Sequence, residues 1–342
     1  MSKQTNNPLD LLNLAGQRKL EEKIVAEEQN ISGIGAVSAA PPPATLGDIS
    51  KLPGTWVGTG FNLIELPNMN QIQPGPPPAD KFRVMTNATS ETLIFSEIAG
   101  EIINRGNAQQ DIGYLGLHYL QQISDVNLPQ GSNGIHLETG LWLNLPGSLV
   151  PTELPTIARL GSIPHGDSLL AQGFSATIKG GPTIPNIDST PFMIVDEIRT
   201  NDNSPNYLAL LKNAIPPPGI PQAAIMNPNI ILQNAIKGQT ILETTVITLD
   251  ANPIEGVSNI IEPNTLGAIS NIPFINYNAN ATTFTAIFWI ETVQGDDNNT
   301  FLQLQYSQTV ILDFPVFGPP PDNKVTALKW PHISVATLRL QP

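Results

Sequence analysis

The chain has 342 residues and a formal net charge of −13, with 16 Lys and Arg against 29 Asp and Glu. This acidic balance makes nucleic acid and anionic lipid poor candidates as partners, because both bind basic surfaces. The sequence has no cysteine, which excludes disulfide bonds, thiolate nucleophiles and cysteine-ligated zinc or iron–sulfur sites.

Proline accounts for 33 residues, about twice the average frequency of ~5%, so the composition favours short strands and long turns over long helices. No window reaches the ~18 consecutive apolar residues of a membrane span. The first residues also lack the apolar core of a signal peptide. We therefore expect a cytoplasmic protein with no membrane span.

Residues 8–29 carry the strongest helical pattern in the chain, with Pro8 at a typical first helical position and an apolar side opposite several glutamates. An isolated helix of this length is marginal in water. We expect it to dock on its own domain or to mediate homo-oligomerisation or partner docking. A Gly- and Pro-rich linker follows, so we divide the chain into an N-terminal region, 1–50, and one domain, 51–342.

The domain opens with a predicted strand over residues 52–64, which places Trp56, Gly58 and Gly60 on one face. Glycines inside a strand allow another backbone, a sharp bend or a ligand to come close. Residues 111–124 fit either a helix or a strand. Alternating apolar and polar residues predict further strands, near 81–86, 90–97, 134–145, 156–162, 168–177, 239–249, 282–293 and 301–314.

Residues 181–280 are rich in Pro, Asn and Ile. Capping and first-turn residues predict two short helices there, over 205–214 and 228–237. No linker separates this segment from its surroundings, so we interpret it as an insertion in the domain that could fill or cover a pocket. In the strand over 301–314, apolar side chains alternate with Gln303, Gln305 and Ser307, which predicts one buried and one solvated face.

Residues 329–340 are typical of a closing strand. His332, Ser334 and Ala336 share one face, and Arg339 marks the other face as solvated. The pattern therefore points His332 into the domain beside small residues, which leaves space for a ligand. The alternative is a core histidine whose ring nitrogens are bonded to a neighbouring carbonyl or a water.

Two other histidines are candidates for a site. His136 and Glu138 lie two residues apart on one face of a strand and can ligate a metal, but with only two ligands the preferred interpretation is a simple surface pair. His165 lies in the turn Pro164-His165-Gly166-Asp167, at a loop tip where it either meets a ligand or only forms the turn. Motifs for a nucleophile elbow, a Walker A loop, a zinc protease or a dinucleotide site are absent from the sequence.

Four short motifs occur in a fixed order: Gly54-Thr55-Trp56-x-Gly58-x-Gly60, His136-x-Glu138-x-Gly140-x-Trp142, Pro164-His165-Gly166 followed by Ala171-Gln172-Gly173, and Pro331-His332-Ile333-x-x-Ala336-Thr337. This order resembles the nitrobindins and, more closely, their larger relatives, which are described as heme-binding, peroxidase-like β-barrels. The resemblance covers roughly residues 51–178 and 282–340.

The resemblance implies a mainly β fold, an antiparallel calycin-like barrel similar to fatty-acid-binding proteins, with short helices. We expect about eight to ten strands, closed by pairing of the last strand with the first. In nitrobindins a histidine on the last strand is the axial ligand of ferric heme, and that position corresponds to His332. The resemblance thus implies heme b as cofactor and an activity of peroxidase or peroxynitrite-isomerase type. The further residues of the implied cofactor site are Trp56, Gly58, Gly60, His136 and His165.

Arg159, Arg83 and Lys329 are candidate cations for the heme propionates. Two alternatives remain open at this point. The barrel could be a heme-free carrier or enzyme for an apolar metabolite such as a lipid or terpenoid. It could also be a structural protein whose interior is filled by the insertion.

Overall fold

A computed structural model describes most of the domain and nothing before residue 44. The predicted helix over 8–29 therefore lies outside the described residues. The described ranges are 44–67, 82–106, 110–149, 152–153, 156–195, 198–200, 205–251, 267–273, 275, 279–296, 299–317 and 325–342. Among them, no helix has the length and apolar character needed to cross a bilayer.

Ten long strands form a closed antiparallel barrel in which each strand pairs with the next along the chain. They are β1 (Gly54–Pro67), β2 (Phe82–Glu97), β3 (Ile112–Asp125), β4 (Gly134–Leu145), β5 (Thr156–Ile163), β6 (Asp167–Lys179), β7 (Thr240–Ala251), β8 (Asn280–Gln294), β9 (Thr300–Phe317) and β10 (Val325–Leu340). Strand β10 closes the ring against β1, with Leu340 opposite Trp56 and Ile333 opposite Leu63. The predicted mainly β barrel, its strand number and its closing pair are confirmed, and the ambiguous segment 111–124 is a strand.

Shorter elements extend the barrel. Four short strands join its sheet, Ile102–Asn104, Phe192–Val195, Ile198–Thr200 and Ala268–Asn271, and a separate hairpin pairs Ser148–Leu149 with Thr152–Glu153. The helices are α1 (Pro205–Lys212) and α2 (Ile230–Ala235), together with 3-10 helices at Gly47–Lys51 and Gln222–Ile225.

The closing contact explains the glycines of β1. A Cβ atom on Gly58 would lie 2.1 Å from the carbonyl oxygen of Thr337, and one on Gly60 would lie 2.1 Å from that of Val335. A side chain at either position would therefore collide with the backbone of β10. Of the three roles predicted for these glycines, the structure shows close approach of another backbone.

One end of the barrel is filled by a hydrophobic core. Trp56, Trp142 and Phe288 are buried there among the interior side chains of all ten strands. The 3-10 helix Gly47–Lys51 covers this end, since Ile49 and Leu52 belong to the same core. The indole nitrogen of Trp56 donates to the carbonyl oxygen of Leu52 at 2.7 Å, which ties this cover to the first strand.

The segment between β6 and β7 packs on the outside of the barrel. Leu211 of α1 and Leu232 of α2 are fully buried against outward side chains of β1, β7, β8 and β10, among them Leu63, Trp289 and Ile333. Through these contacts α1 and α2 cover a flank of the barrel, while Tyr207 and Leu210 of α1 pack on a second cluster that contains Phe314 and Trp330.

This cover overturns one expectation. The predicted solvated face of β9 is buried, with Gln303 5% and Gln305 0% exposed. The amide nitrogen of Gln305 donates to the carbonyl oxygen of Leu232 in α2 at 3.3 Å and to the Thr337 hydroxyl at 2.7 Å. Polar side chains are retained on this face because the covering segment offers them hydrogen-bond partners.

Candidate ligand cavity

The end of the barrel opposite the hydrophobic core contains a cavity of about 460 Å³, a size typical of small-molecule sites. Most of its wall is apolar. Three of its residues, Ile269, Ile275 and Ala279, come from the chain between β7 and β8, so this later part of the insertion borders the cavity. The other apolar wall residues include Ile64, Leu66, Ile123, Ile135, Leu169, Val310 and Leu312.

Three of the four histidines meet in this cavity. His136 from β4, His165 from the turn between β5 and β6, and His332 from β10 all line it. The fourth, His118, is exposed and its Nε2 atom lies 3.0 Å from the hydroxyl of Thr139. The other predicted site residues lie elsewhere: Trp56 belongs to the hydrophobic core, and Gly58 and Gly60 lie where β1 meets β10.

A chain of hydrogen bonds orients the ring of His332. Its Nε2 atom lies 2.8 Å from Oδ1 of Asn62, which also accepts a hydrogen bond from the Ser334 hydroxyl at 2.9 Å. The amide nitrogen of Asn62 donates to Oδ1 of Asn87 at 3.0 Å, and that of Asn87 donates to a carboxylate oxygen of Asp125 at 2.7 Å.

The carboxylate of Asp125 at the end of this chain fixes the direction of every bond in it. Since a carboxylate oxygen accepts, Asn87 and then Asn62 must each present an NH₂ group toward Asp125 and an oxygen toward His332. Nε2 of His332 therefore carries the proton, and Nδ1 carries the lone pair. No described residue makes a hydrogen bond to Nδ1.

The ring of His332 is neutral at physiological pH. Burial, together with the charges of His136 and His165, lowers the pKa of His332 to about 3. Desolvation penalises the imidazolium form, and no carboxylate contacts the ring to offset that penalty. His332 can thus offer a lone pair to a metal or accept a hydrogen bond, and it does not act as a cation.

Glu138 lines the cavity and belongs to a buried ion pair. An Arg159 nitrogen donates to its carboxylate at 2.8 Å, the hydroxyl of Tyr119 donates to the same oxygen, and Nε2 of His136 lies 3.4 Å from the other. Burial alone would raise the pKa of Glu138, but the charge of Arg159 and the contact with His136 lower it to about 2. His136 and Glu138 are therefore not a simple surface pair.

Metal ligation by His136 and Glu138 lacks further ligands. Among the described residues, no group of three or more His, Asp and Glu side chains is arranged to hold a metal ion. The second oxygen of the Glu138 carboxylate already contacts His136, and the first is taken by Arg159 and Tyr119. The pair orients His136 within the cavity wall.

None of the cations proposed for heme propionates lines the cavity. Arg159 is 2% exposed and lies within 5.3–6.0 Å of four aromatic ring centres below the cavity. Arg83 is exposed on β2, and Lys329 pairs with Asp313 at 2.7 Å. The alternation pattern correctly predicted that Arg159 lies on a strand. Its side chain faces inward, where it pairs with Glu138 of the neighbouring strand.

A second polar cluster was not predicted from the sequence. Glu91 is buried on β2 and accepts hydrogen bonds from the Tyr306 hydroxyl at 2.6 Å and from the Gln121 amide at 2.7 Å. Tyr306 and Gln121 line the cavity, and Glu91 lies behind them. The available signal was its position in the alternation, since Glu91 shares a face with the core residues Leu93 and Phe95.

Comparisons with known proteins add one similar solved structure. No protein-family model matches the chain, and no curated protein gives a significant match. The crystal structure of Rv2717c from M. tuberculosis is 13% identical over 88% of this chain and 100% of that chain, with a TM-score of 0.37. The resemblance to nitrobindins therefore rests on the sequence motifs.

Proposed function

We propose that the barrel binds heme b in this cavity, with the imidazole of His332 as the axial ligand of the iron. The observation that carries the proposal is a neutral, oriented histidine in the wall of a largely apolar cavity of about 460 Å³. A neutral imidazole is a common heme ligand, and apolar walls suit a porphyrin.

The surroundings of His332 fit this role. A metal-bound histidine usually donates its other ring N–H to an acceptor that fixes the ring. Asn62 accepts from Nε2 at 2.8 Å, which leaves Nδ1 as the nitrogen that would bind iron. Asn87 and Asp125 hold Asn62 in place from behind.

The same wall residues limit how heme would lie. The described residues that line the cavity include no Lys or Arg, so the propionates would have to reach water at the mouth. Bound ferric heme supplies redox chemistry of the peroxidase or nitrogen-oxide type. His136 and His165 line the same cavity, and they are the side chains available to hydrogen-bond a small molecule beside it.

A hemin titration tests the proposal. Hemin added to the wild type should produce a shifted Soret band with a defined stoichiometry. His332→Ala should lose that band shift, while the matched control His118→Ala should keep it, because His118 lies outside the cavity. Circular dichroism checks that all three proteins are folded. An unchanged spectrum in His332→Ala, or no binding by the wild type, contradicts the proposal.

A second candidate is a heme-free carrier or enzyme for an apolar metabolite. It is favoured by the absence of Lys and Arg from the described residues that line the cavity. In that case the purified protein would be colourless, and mass spectrometry of a solvent extract would find a lipid or terpenoid.

A further inference from the structure

Glu91, Tyr306 and Gln121 form a polar cluster in the cavity wall that the heme proposal does not use. Both oxygens of the Glu91 carboxyl group are engaged, one by the Tyr306 hydroxyl at 2.6 Å and the other by the Gln121 amide at 2.7 Å. The same amide lies 3.3 Å from the Tyr306 oxygen. Tyr306 and Gln121 line the cavity and Glu91 does not, so Glu91 acts on a ligand through these two side chains.

One proton on Glu91 inverts the hydrogen bonding of Tyr306. When Glu91 is ionised, the Tyr306 hydroxyl donates to it, and only the lone pairs of the phenol oxygen are left for the cavity. When Glu91 is protonated, its own O–H can donate to the phenol oxygen. The Tyr306 hydroxyl is then released to donate to an acceptor inside the cavity.

We propose that Tyr306 recognises a carbonyl oxygen on an otherwise apolar ligand, and that protonated Glu91 is what sets the Tyr306 hydroxyl to donate to it. This inference rests on the proposed function to the extent that both place the ligand in the same cavity. It does not require heme, and it names the polar group that the ligand must carry.

The charges around the cluster make Glu91 the group that changes state. Burial raises the pKa of Glu91 to about 7, although hydrogen bonds from Tyr306 and Gln121 and the charges of His136 and Arg159 lower it. Burial and the nearby Glu91 raise the pKa of Tyr306 well above its ordinary value, so the phenol keeps its proton.

The other ionisable groups near the cluster are Glu138, Arg159 and His136. Glu138 and Arg159 are paired at 2.8 Å, and Tyr119 donates to that pair. His136 lies against Glu138, and its charge acts on Glu91. The probe is chosen without charge, so that it does not interact directly with the charges of these side chains.

The neutral fluorescent ketone prodan serves as the probe, and its emission reports hydrogen bonding to its carbonyl group. If only the protonated state of Glu91 donates, the dissociation constant of the full-length wild type should be about tenfold lower at about pH 6 than at about pH 8. Glu91→Gln should bind equally at both pH values, with the wild-type affinity of the lower pH, because its NH₂ group donates permanently to Tyr306. Tyr306→Phe should bind weakly at both.

The inference is overturned if the wild type does not bind prodan measurably, or if its affinity does not change with pH. It is also overturned if the pH dependence persists in Glu91→Gln, or if Tyr306→Phe binds prodan as tightly as the wild type does. Circular dichroism checks the fold of both variants, and Glu91→Gln alone suffices for a decision if Tyr306→Phe does not fold. The hemin test depends on His332 and uses neither Glu91 nor Tyr306. Each proposal can therefore fail while the other holds.

Discussion

Removing the positive end of the buried ion pair should strongly destabilise the barrel. Arg159→Met keeps the apolar length of the side chain but leaves Glu138, which is 0% exposed, without its cation. A pKa of Glu138 lowered from 4.5 to about 2 corresponds to about 3 kcal/mol of stability at neutral pH. Breaking a buried pair by removing one partner typically costs about 3–5 kcal/mol, which agrees.

Urea denaturation of the wild type and Arg159→Met measures this loss as a difference in the free energy of unfolding. The double variant Glu138→Gln/Arg159→Met is the matched control, and it should recover much of the loss because no unpaired charge remains. Since the pKa of Glu138 is lowered, its contribution is fully present above about pH 4.5 and is lost as the pH falls toward 2. A loss below about 1 kcal/mol in Arg159→Met, or a double variant less stable than the single one, would refute the reasoning.

Two further predictions concern stability. Gly60→Ala should lower the free energy of unfolding by several kcal/mol in a urea melt, because its Cβ atom would lie 2.1 Å from the Val335 carbonyl oxygen. In the control Gly134→Ala the new Cβ atom meets no other atom within 4 Å. Equal losses of stability in the two variants would show that barrel closure does not depend on Gly60. Burial raises the pKa of Glu291 to about 7, so keeping this carboxyl group buried destabilises the wild type increasingly as the pH rises from about 4.5 to about 7. Glu291→Gln should therefore gain melting temperature over the wild type at about pH 8 and gain less at about pH 5, and a difference independent of pH would contradict this.

Alternation predicted most of the strands, and the resemblance to a known family supplied the barrel and its closing pair. Alternation also predicted which face of β10 turns inward, since Arg339 is exposed and His332 lines the cavity. Alternation distinguishes only the two faces of a strand. It could not show that Gln303 and Gln305 on the outer face of β9 are covered by α2, because that contact joins segments about 70 residues apart.

The polar clusters were beyond the reach of sequence reasoning for the same reason. The hydroxyl of Tyr306 and the carboxyl group of Glu91 meet across 215 residues of chain. Arg159 and Glu138 are 21 residues apart, and no local pattern joins them. Inward-facing charged residues on apolar strands were the available signal, because a buried charge requires a partner.

Crystals grown with hemin, measured at the iron absorption edge, test the central claim most directly. We predict one anomalous iron peak inside the barrel, within bonding distance of a ring nitrogen of His332. An iron peak at any other side chain, or heme bound outside the barrel, would contradict the assignment of His332 as the axial ligand.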